Sequence, residues 1–103
     1  MNKLCGMLGL ARRAGNIACG FDAVKAAVFG GKARLLLYAD DISEKTLQRV
    51  MFLAAEAGMK PILSGISMEE IGAAVGKAPC GIIAILDTHM AKGIVSLLEK
   101  GSG

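Results

Sequence analysis

The sequence has very little of the residue types on which catalytic and metal sites are usually built. His89 is the sole histidine, and no cysteine or aspartate stands at the spacing of a catalytic triad or a zinc site. The three cysteines, Cys5, Cys19 and Cys80, are odd in number and widely spaced, so they form no metal or redox motif. We expect them to be buried, reduced thiols of a cytosolic protein. The sequence gives no positive evidence for an enzyme, and we predict a non-enzymatic protein without a cofactor or a bound metal.

Two short motifs resemble phosphate and metal sites, but both are incomplete. The Gly-Gly-Lys run at 30–32 is followed by alanine, where a phosphate-binding loop requires Ser or Thr, and it leads into a strand. Asp40 and Asp41 follow a strand and offer paired carboxylates for Mg²⁺. A helix cap explains Asp41 more simply, so a small magnesium-dependent enzyme is the least favoured of three functional hypotheses.

Long hydrophobic runs are also missing, although 53% of the residues are hydrophobic and the mean hydropathy is +0.52. No stretch approaches the roughly 20 apolar residues of a membrane helix. The N-terminal segment has its arginines after its apolar stretch, which is not the layout of a signal peptide. We therefore expect a cytoplasmic protein that does not contact membranes. With 103 residues and no linker or internal repeat, the chain is predicted to be a single domain over 1–103.

Positive charge is concentrated in the first part of the chain. Residues 1–38 carry six basic residues and one acidic residue, a net charge of +5. Residues 39–103 carry six basic and eight acidic residues, a net charge of −2. A basic N-terminal part fits a surface that binds a polyanion such as nucleic acid. A solvated surface without any ligand is the alternative.

Apolar residues in the first half recur at helical and strand spacings. The glycines Gly6 and Gly9 weaken the first helix, so they indicate close packing against another element. Gly20 begins the second helix, and a helix N-terminus beside a glycine, with lysines nearby, favours binding of an anion such as a phosphate. This half is predicted to contain a helix capped by Asn2 and stopped by Gly15, a strand at 16–19, a helix at 20–29 and a buried strand at 35–39.

The third helix is predicted to begin at a capping box, because Asp41 and Glu44 are spaced as its N-cap and third residue. Ser67 and Glu70 predict a second capping box at the fourth helix. Phe52 falls on the polar face of the third helix, and we expect it to tuck under a neighbouring loop. The inward face of the third helix is predicted to hold Leu47, Val50, Met51 and Ala54.

The second half of the chain continues the alternation of helices and strands. Helices that alternate with short buried strands predict a three-layer α/β/α sandwich with a roughly four-stranded mixed sheet. Either Asp87 or Thr88 is expected to cap the last helix, and a frayed tail is expected at 101–103. The elements predicted here are a helix at 42–57, a strand at 61–64, a helix at 67–76, a loop at 76–79, a strand at 81–86 and a final helix with the inward face Met90, Ala91, Ile94, Val95 and Leu98.

Four segments stand out along the chain: LGLARRAG (8–15), GFDAVKAAVFGGKARLLLYADDIS (20–43), SMEEIGAAVGK (67–77) and AILDTHMAKGIVSLL (84–98). In this order and spacing they resemble the ribosomal kink-turn-binding family. This is the family of archaeal large-subunit ribosomal protein seven-Ae and its eukaryotic thirty-e relative, with a bacterial YlxQ-like branch. The resemblance covers nearly the whole chain. It implies an α/β/α sandwich that binds structured RNA, including ribosomal RNA, as a monomer associated with the ribosome or with translation-factor proteins.

The resemblance also implies where RNA binds, namely the start of the second helix and the loop before the last strand. The family pattern at that helix is Gly-x-Asn-Glu-x-x-Lys. Gly20 matches its glycine, whereas Asp22, Ala23 and Ala26 stand in place of the Asn, Glu and Lys. The loop at 77–79 corresponds to the loop that packs against a splayed nucleotide in relatives. The residues expected to bind RNA are Arg12, Arg13, Gly20, Phe21, Asp22, Lys25, Lys32, Lys77, Ala78 and Pro79.

Other roles stay open for some of these residues. Arg12 and Arg13 also suit the last turn of a helix, where cations interact favourably with the helix dipole. Phe21 can stack on a base, but its helical spacing with Val24 favours a place in the core. The replacement of polar residues by alanine in the family pattern favours an alternative function. In it, the same fold is a protein-interaction or regulatory module that has lost kink-turn recognition.

Overall fold

The computed structural model describes residues 2–101, in which helices and strands alternate along the chain. No helix in this part of the chain is both long enough and apolar enough to cross a membrane. The elements are α1 (Lys3–Arg13), β1 (Ile17–Cys19), α2 (Phe21–Phe29), β2 (Leu35–Tyr38), α3 (Glu44–Glu56), β3 (Ile62–Leu63), α4 (Met68–Val75), β4 (Ile82–Ile85) and α5 (Thr88–Gly101).

The four strands form one mixed sheet in the order β1-β4-β2-β3. The central strand β4 pairs antiparallel with both β1 and β2, whereas β2 and β3 are parallel. Ala84 of β4 lies opposite Ala18 on one side and Leu36 on the other. This confirms the predicted four-stranded mixed sheet.

Helices cover both faces of the sheet, because successive strand residues point to opposite sides. Leu35 and Leu37 of β2 pack with residues of α1, α4 and α5, whereas Leu36 between them packs with residues of α2 and α3. The α/β/α sandwich is therefore confirmed, and its two cores lie on either side of the sheet. The first core includes Leu4, Leu8, Ile71, Val75, Ile83, Ile85 and Ile94, and the second includes Val24, Val50, Leu53, Ala54, Ile82 and Ala84.

The predicted capping box at Asp41 is wrong, and the aspartates before α3 have another role. Ser43 is the N-cap of α3, where its hydroxyl accepts a hydrogen bond from the Thr46 N–H at 3.1 Å. Asp41 instead accepts one from the N–H of Met68, the first residue of α4, at 2.8 Å. Asp40 accepts one from the Gly65 N–H at 2.9 Å. The two carboxylates thus hold the β3–α4 connection against the end of β2.

The second predicted capping box, at α4, is confirmed. The Ser67 hydroxyl accepts from the Glu70 N–H at 3.1 Å, and the Glu70 carboxylate accepts from the Ser67 N–H at 3.0 Å. The helix ends at Gly76, which has the left-handed conformation that glycine adopts without strain. Both ends of α4 are thereby fixed, and the loop at 77–79 follows directly from Gly76.

Several predicted side-chain positions on the helices differ in the structure. Met51 is 41% exposed rather than inward-facing, because the buried face of α3 runs through Val50, Leu53 and Ala54. Phe52 is 70% exposed and is not tucked under a loop. Gly9 packs against the Ala74 carbonyl of α4 as expected, but Gly6 has open space around it.

The cysteines and the C-terminal segment also depart from the prediction. All three cysteines are free, but only Cys80 is buried, whereas Cys5 and Cys19 are half-buried. Gly101 is the last residue of α5 rather than the first residue of a tail. The rest of the predicted tail, 102–103, lies outside the described residues.

Candidate nucleic-acid interface

Gly20 joins β1 to α2 in a conformation that glycine alone adopts readily. Its φ is 89° and its ψ is 158°, a region of backbone space that side chains strongly disfavour. Its N–H donates a hydrogen bond to the Ile82 carbonyl at 3.0 Å, which fixes the start of α2 beside the start of β4. No heavy atom lies within 4 Å of the place that a Cβ would take. The backbone at Gly20 is therefore open to close approach by a ligand.

The N-terminus of α2 carries no side-chain cap. In the described part of the chain, the other four helices each have a side chain that accepts a hydrogen bond from a first-turn N–H. These side chains belong to Asn2, Ser43, Ser67 and Asp87. At α2, Gly20 offers no such group, and Asp22 of the first turn is exposed. Free N–H groups and the positive end of the helix dipole suit an anion at this position.

The loop at 77–79 lies beside the start of α2. Its residues are exposed, and its first N–H, that of Lys77, donates to the Gly72 carbonyl at 2.8 Å. After the loop, the Cys80 thiol donates to the Ile82 carbonyl at 3.0 Å, the same oxygen that accepts from Gly20. The two predicted contact segments, 20–22 and 77–79, are thus brought together, and we refer to them as the Gly20 edge.

Two of the predicted basic residues lie close to this edge. The pKa of the Cys19 thiol is raised, chiefly because it donates a hydrogen bond to the Cys80 sulfur and also because it is buried from water. The positive charges of Lys77 and Arg12 act on the Cys19 pKa in the opposite direction, so both side chains lie within electrostatic reach of Cys19. Positive charge from α1 and from the 77–79 loop therefore acts at Cys19, the residue that precedes Gly20.

The structure does not bring every predicted residue to the Gly20 edge. Lys32 lies beyond the other end of α2, which is a nine-residue helix about 13 Å long. The Lys25 side chain points along α2 toward its C-terminus, with its ammonium 5.9 Å from the centre of the Phe29 ring. Arg13 is exposed at the end of α1.

Phe21 belongs to the second core and also to a groove that the sequence did not reveal. Its ring is half-buried, and the Arg49 guanidinium lies over it at 4.2 Å from the ring centre. Phe29 and Phe52, which are 62% and 70% exposed, lie nearby. They complete a groove of about 350 Å³ between α2 and α3 that contains every phenylalanine of the chain. The sequence observation that could have indicated this groove was Phe52 on the polar face of α3. The groove is lined by Phe21, Lys25, Phe29, Arg49, Phe52, Leu53 and Glu56.

Comparison with known proteins identifies the family. The sequence profile of the ribosomal protein L7Ae/L30e/S12e/Gadd45 family matches residues 2–95. The chain belongs to this family. The RNA-binding protein YlxQ of Bacillus subtilis is 29% identical over 93 residues, which cover 90% of this chain and 92% of that protein. The predicted resemblance is thereby confirmed. The family is not one of enzymes, so the prediction of a non-enzymatic protein is confirmed as well.

Solved structures of the same fold extend from bacteria to a eukaryote. A Bacillus halodurans protein described as having unknown function aligns with a TM-score of 0.84 at 24% identity, over 96% of this chain and 99% of that one. The Giardia lamblia 15.5kD RNA binding protein aligns with a TM-score of 0.75 at 19% identity, over 94% of this chain and 85% of that one. At these identities the two alignments establish the fold alone.

Proposed function

We propose that this protein binds structured RNA through the Gly20 edge. The observation that carries the proposal is the uncapped N-terminus of α2, which lies beside the 77–79 loop with Arg12 and Lys77 close by. Family membership and the similarity to an RNA-binding protein, YlxQ, support RNA as the polyanion. Ribosomal RNA is the first target to test, and we place the protein in the cytoplasm as a ribosome- or translation-associated monomer.

The chemistry of the edge favours phosphate and shape over base identity. Backbone N–H groups of α2 donate to a phosphate, and Gly20 lets the sugar-phosphate chain come close. Arg12 and Lys77 neutralise charge, which positions the RNA without reading its sequence. Ala78 and Pro79 offer an exposed apolar surface against which a splayed base can pack. Because Asp22 and Ala23 replace the Asn and Glu of the family pattern, base-specific hydrogen bonds are fewer.

The first experiment is filter binding to a ribosomal RNA fragment, a kink-turn RNA and duplex DNA at several salt concentrations. Binding should favour the RNAs and weaken as salt rises, because counterions are released when phosphates are neutralised. Gly20→Val should abolish binding, with circular dichroism showing that the variant is folded. Absence of RNA binding by the unmodified protein at low salt contradicts the proposal.

Lysine variants test which charges contact phosphates. Lys77→Ala should weaken binding to all RNAs about equally and lower the salt slope by roughly 1, as expected for one lost phosphate contact. Lys25→Ala tests whether the Lys25 side chain turns from Phe29 toward the RNA. Lys60, exposed between α3 and β3, is the matched control. Lys60→Ala should change neither the RNA affinity nor the salt slope. If all three variants have the same salt slope, the placement of RNA at this edge is wrong.

Recognition of kink-turn RNA can be tested by restoring the family pattern. Asp22 and Ala23 are both exposed in the first turn of α2, so substitutions there leave the core intact. The double variant Asp22→Asn with Ala23→Glu should gain preference for kink-turn RNA over a matched duplex. A side chain that reads a base edge typically contributes about 1–3 kcal/mol of discrimination in DNA complexes. An unchanged preference in the folded double variant contradicts this placement of base recognition.

The aromatic groove between α2 and α3 favours a second candidate function, a protein-interaction module. Phe29 and Phe52 are exposed large apolar side chains in a groove that also carries Lys25, Arg49 and Glu56. A pull-down that recovers the same protein partners before and after ribonuclease treatment, and loses them in Phe52→Ser, supports this function. Loss of every partner after ribonuclease treatment counts against it.

A further inference from the structure

The thiols of Cys19 and Cys80 meet at the centre of the Gly20 edge. Cys19 is the last residue of β1, and its thiol donates a hydrogen bond to the Cys80 sulfur. The Cys80 thiol and the Gly20 N–H both lie 3.0 Å from the Ile82 carbonyl oxygen. The Cys80 sulfur is therefore beside the peptide that joins Cys19 to Gly20. Two thiols far apart in sequence are therefore neighbours in the fold, as disulfide formation requires.

The pair also sits between the two segments proposed to contact RNA. Cys19 immediately precedes Gly20, and Cys80 immediately follows the 77–79 loop. Cys5, the remaining thiol, is on α1 and packs at the margin of the first core, to which Cys19 and Cys80 also belong. A covalent bond between Cys19 and Cys80 would link the start of α2 to the loop.

We propose that Cys19 and Cys80 are a thiol oxidation site at which a reversible disulfide forms and lowers the affinity of the Gly20 edge for RNA. This inference rests on the proposed function for its effect on RNA. The oxidant is a peroxide, and the reductant that restores the thiols is a small dithiol. The environment suits the reaction, because the hydrogen bond from Cys19 lowers the Cys80 pKa, and the positive charge of Lys77 acts in the same direction.

The reaction takes place in two steps. The Cys80 thiolate attacks one oxygen of hydrogen peroxide, the O–O bond breaks, and Cys80 becomes a sulfenic acid while the released hydroxide takes up a proton to form water. The Cys19 sulfur then attacks the Cys80 sulfur, and the S–S bond forms as the S–O bond breaks. The leaving hydroxide takes the Cys19 thiol proton and departs as a second water. Two thiols and one peroxide thus give one disulfide and two waters.

The disulfide changes the Gly20 edge because the two segments that it links are not equally free to move. An S–S bond is about 2.05 Å long, much shorter than a contact between two thiols, so the sulfurs must approach each other. Cys19 is held in the ladder opposite Ile83, whereas Cys80 lies outside the ladder, is held by one backbone hydrogen bond to the Met68 carbonyl at 3.0 Å, and follows the exposed 77–79 loop. The loop therefore moves toward Gly20, and the Cys80 hydrogen bond to Ile82 is lost. We expect RNA affinity to fall about tenfold, which corresponds to about 1.4 kcal/mol.

The test treats the full chain with hydrogen peroxide and measures its intact mass and its peptide map. The protein should lose the mass of two hydrogens, give one peptide pair linked through Cys19 and Cys80, and recover its mass with dithiothreitol. Cys5→Ser, the matched control, should behave in the same way. Cys19→Ser should not form the link and should retain oxygen on Cys80. A link that involves Cys5, or peroxide-oxidised Cys80 with no link to Cys19, overturns the inference.

RNA affinity is then measured for the reduced and the oxidised protein by filter binding. Weaker binding by the disulfide form, restored by dithiothreitol and absent from Cys19→Ser, supports the inference. Equal affinities of the two forms overturn the effect on RNA. If neither form binds RNA, the proposed function is wrong, and this effect is overturned with it. The mass measurement still decides independently whether the oxidation site exists.

Discussion

Gly72→Ala is the substitution that most directly tests how the 77–79 loop is held. Gly72 is buried inside α4, and a Cβ there would lie 2.5 Å from the Ala78 carbonyl oxygen and 2.9 Å from that of Lys77. Both atoms belong to the backbone, so no flexible side chain can move out of the way. The loop must shift by about 1 Å, and overpacking of this kind costs about 1–3 kcal/mol.

The energetic cost of the clash can be isolated by comparison with a substitution at a second glycine. Alanine is about 1 kcal/mol more favourable than glycine in a helix interior. Gly6, in the exposed interior of α1, has no heavy atom within 4 Å of its Cβ position, so Gly6→Ala should show this gain alone. Gly72→Ala should show the same gain minus the cost of the clash. The free energy of unfolding of the two variants should therefore differ by about 1–3 kcal/mol.

Unfolding of both variants by urea can be followed by circular dichroism, and their RNA affinities can be measured in parallel. Gly72→Ala should also bind RNA about tenfold more weakly, a loss of about 1.4 kcal/mol, because its loop is displaced from the Gly20 edge. Gly6→Ala should bind RNA as the unmodified protein does. If Gly72→Ala is as stabilising as Gly6→Ala, the contact between α4 and the loop does not hold the loop, and the reasoning is refuted.

Further outcomes follow from burial, capping and thiol chemistry. Leu36→Ala removes a fully buried side chain and should cost about 2–5 kcal/mol in the free energy of unfolding. Phe52→Ala, at an exposed position, should stay within about 0.5 kcal/mol in the same urea titration. Ser67→Ala removes the α4 cap and should cost about 1 kcal/mol, and an unchanged urea midpoint would contradict the cap. In the reduced protein, the alkylation rate of Cys80 should reach half its maximum below pH 8.5, the ordinary thiol pKa, because the hydrogen bond from Cys19 and the charge of Lys77 lower its pKa. The half-maximum for Cys5 should lie above pH 8.5, because burial and the charge of Glu70 raise its pKa, and mass spectrometry of alkylated peptides gives both profiles.

The fold could be predicted because its signals are local. Short apolar runs such as 35–39 mark buried strands, and a serine three residues before a glutamate marks the start of α4. The error at Asp41 has a physical cause, since an aspartate suits a helix cap wherever a free N–H lies within reach. The N–H that Asp41 accepts from belongs to Met68 of another helix, and the spacing between Asp41 and Glu44 contains no information about it.

The candidate site was less accessible to prediction, because it depends on contacts between distant segments. The sequence could indicate Gly20 as a helix start, but not that its N–H and the Cys80 thiol meet at one carbonyl of β4. Wide spacing of the cysteines suggested unrelated buried thiols, whereas strand pairing brings Cys19 to Cys80. The groove of phenylalanines was missed for the same reason, since its members lie on different helices.

In the proposed RNA site at the Gly20 edge, the groups that would form the binding surface are separate from those that would select the RNA. Its backbone is supported from inside the fold: the Gly20 N–H is hydrogen-bonded to β4, which pairs with strands on both sides, and the loop is anchored at its first residue to the Gly72 carbonyl. The exposed positions Asp22 and Ala23 take no part in this support, so their departure from the family pattern leaves the backbone geometry intact. Changes at Gly20 or Gly72 should therefore reduce affinity for every RNA, whereas changes at Asp22 and Ala23 should alter which RNA is preferred. On this proposal, the chain keeps the fold of its family and a backbone suited to phosphate while its base preference departs from the family pattern.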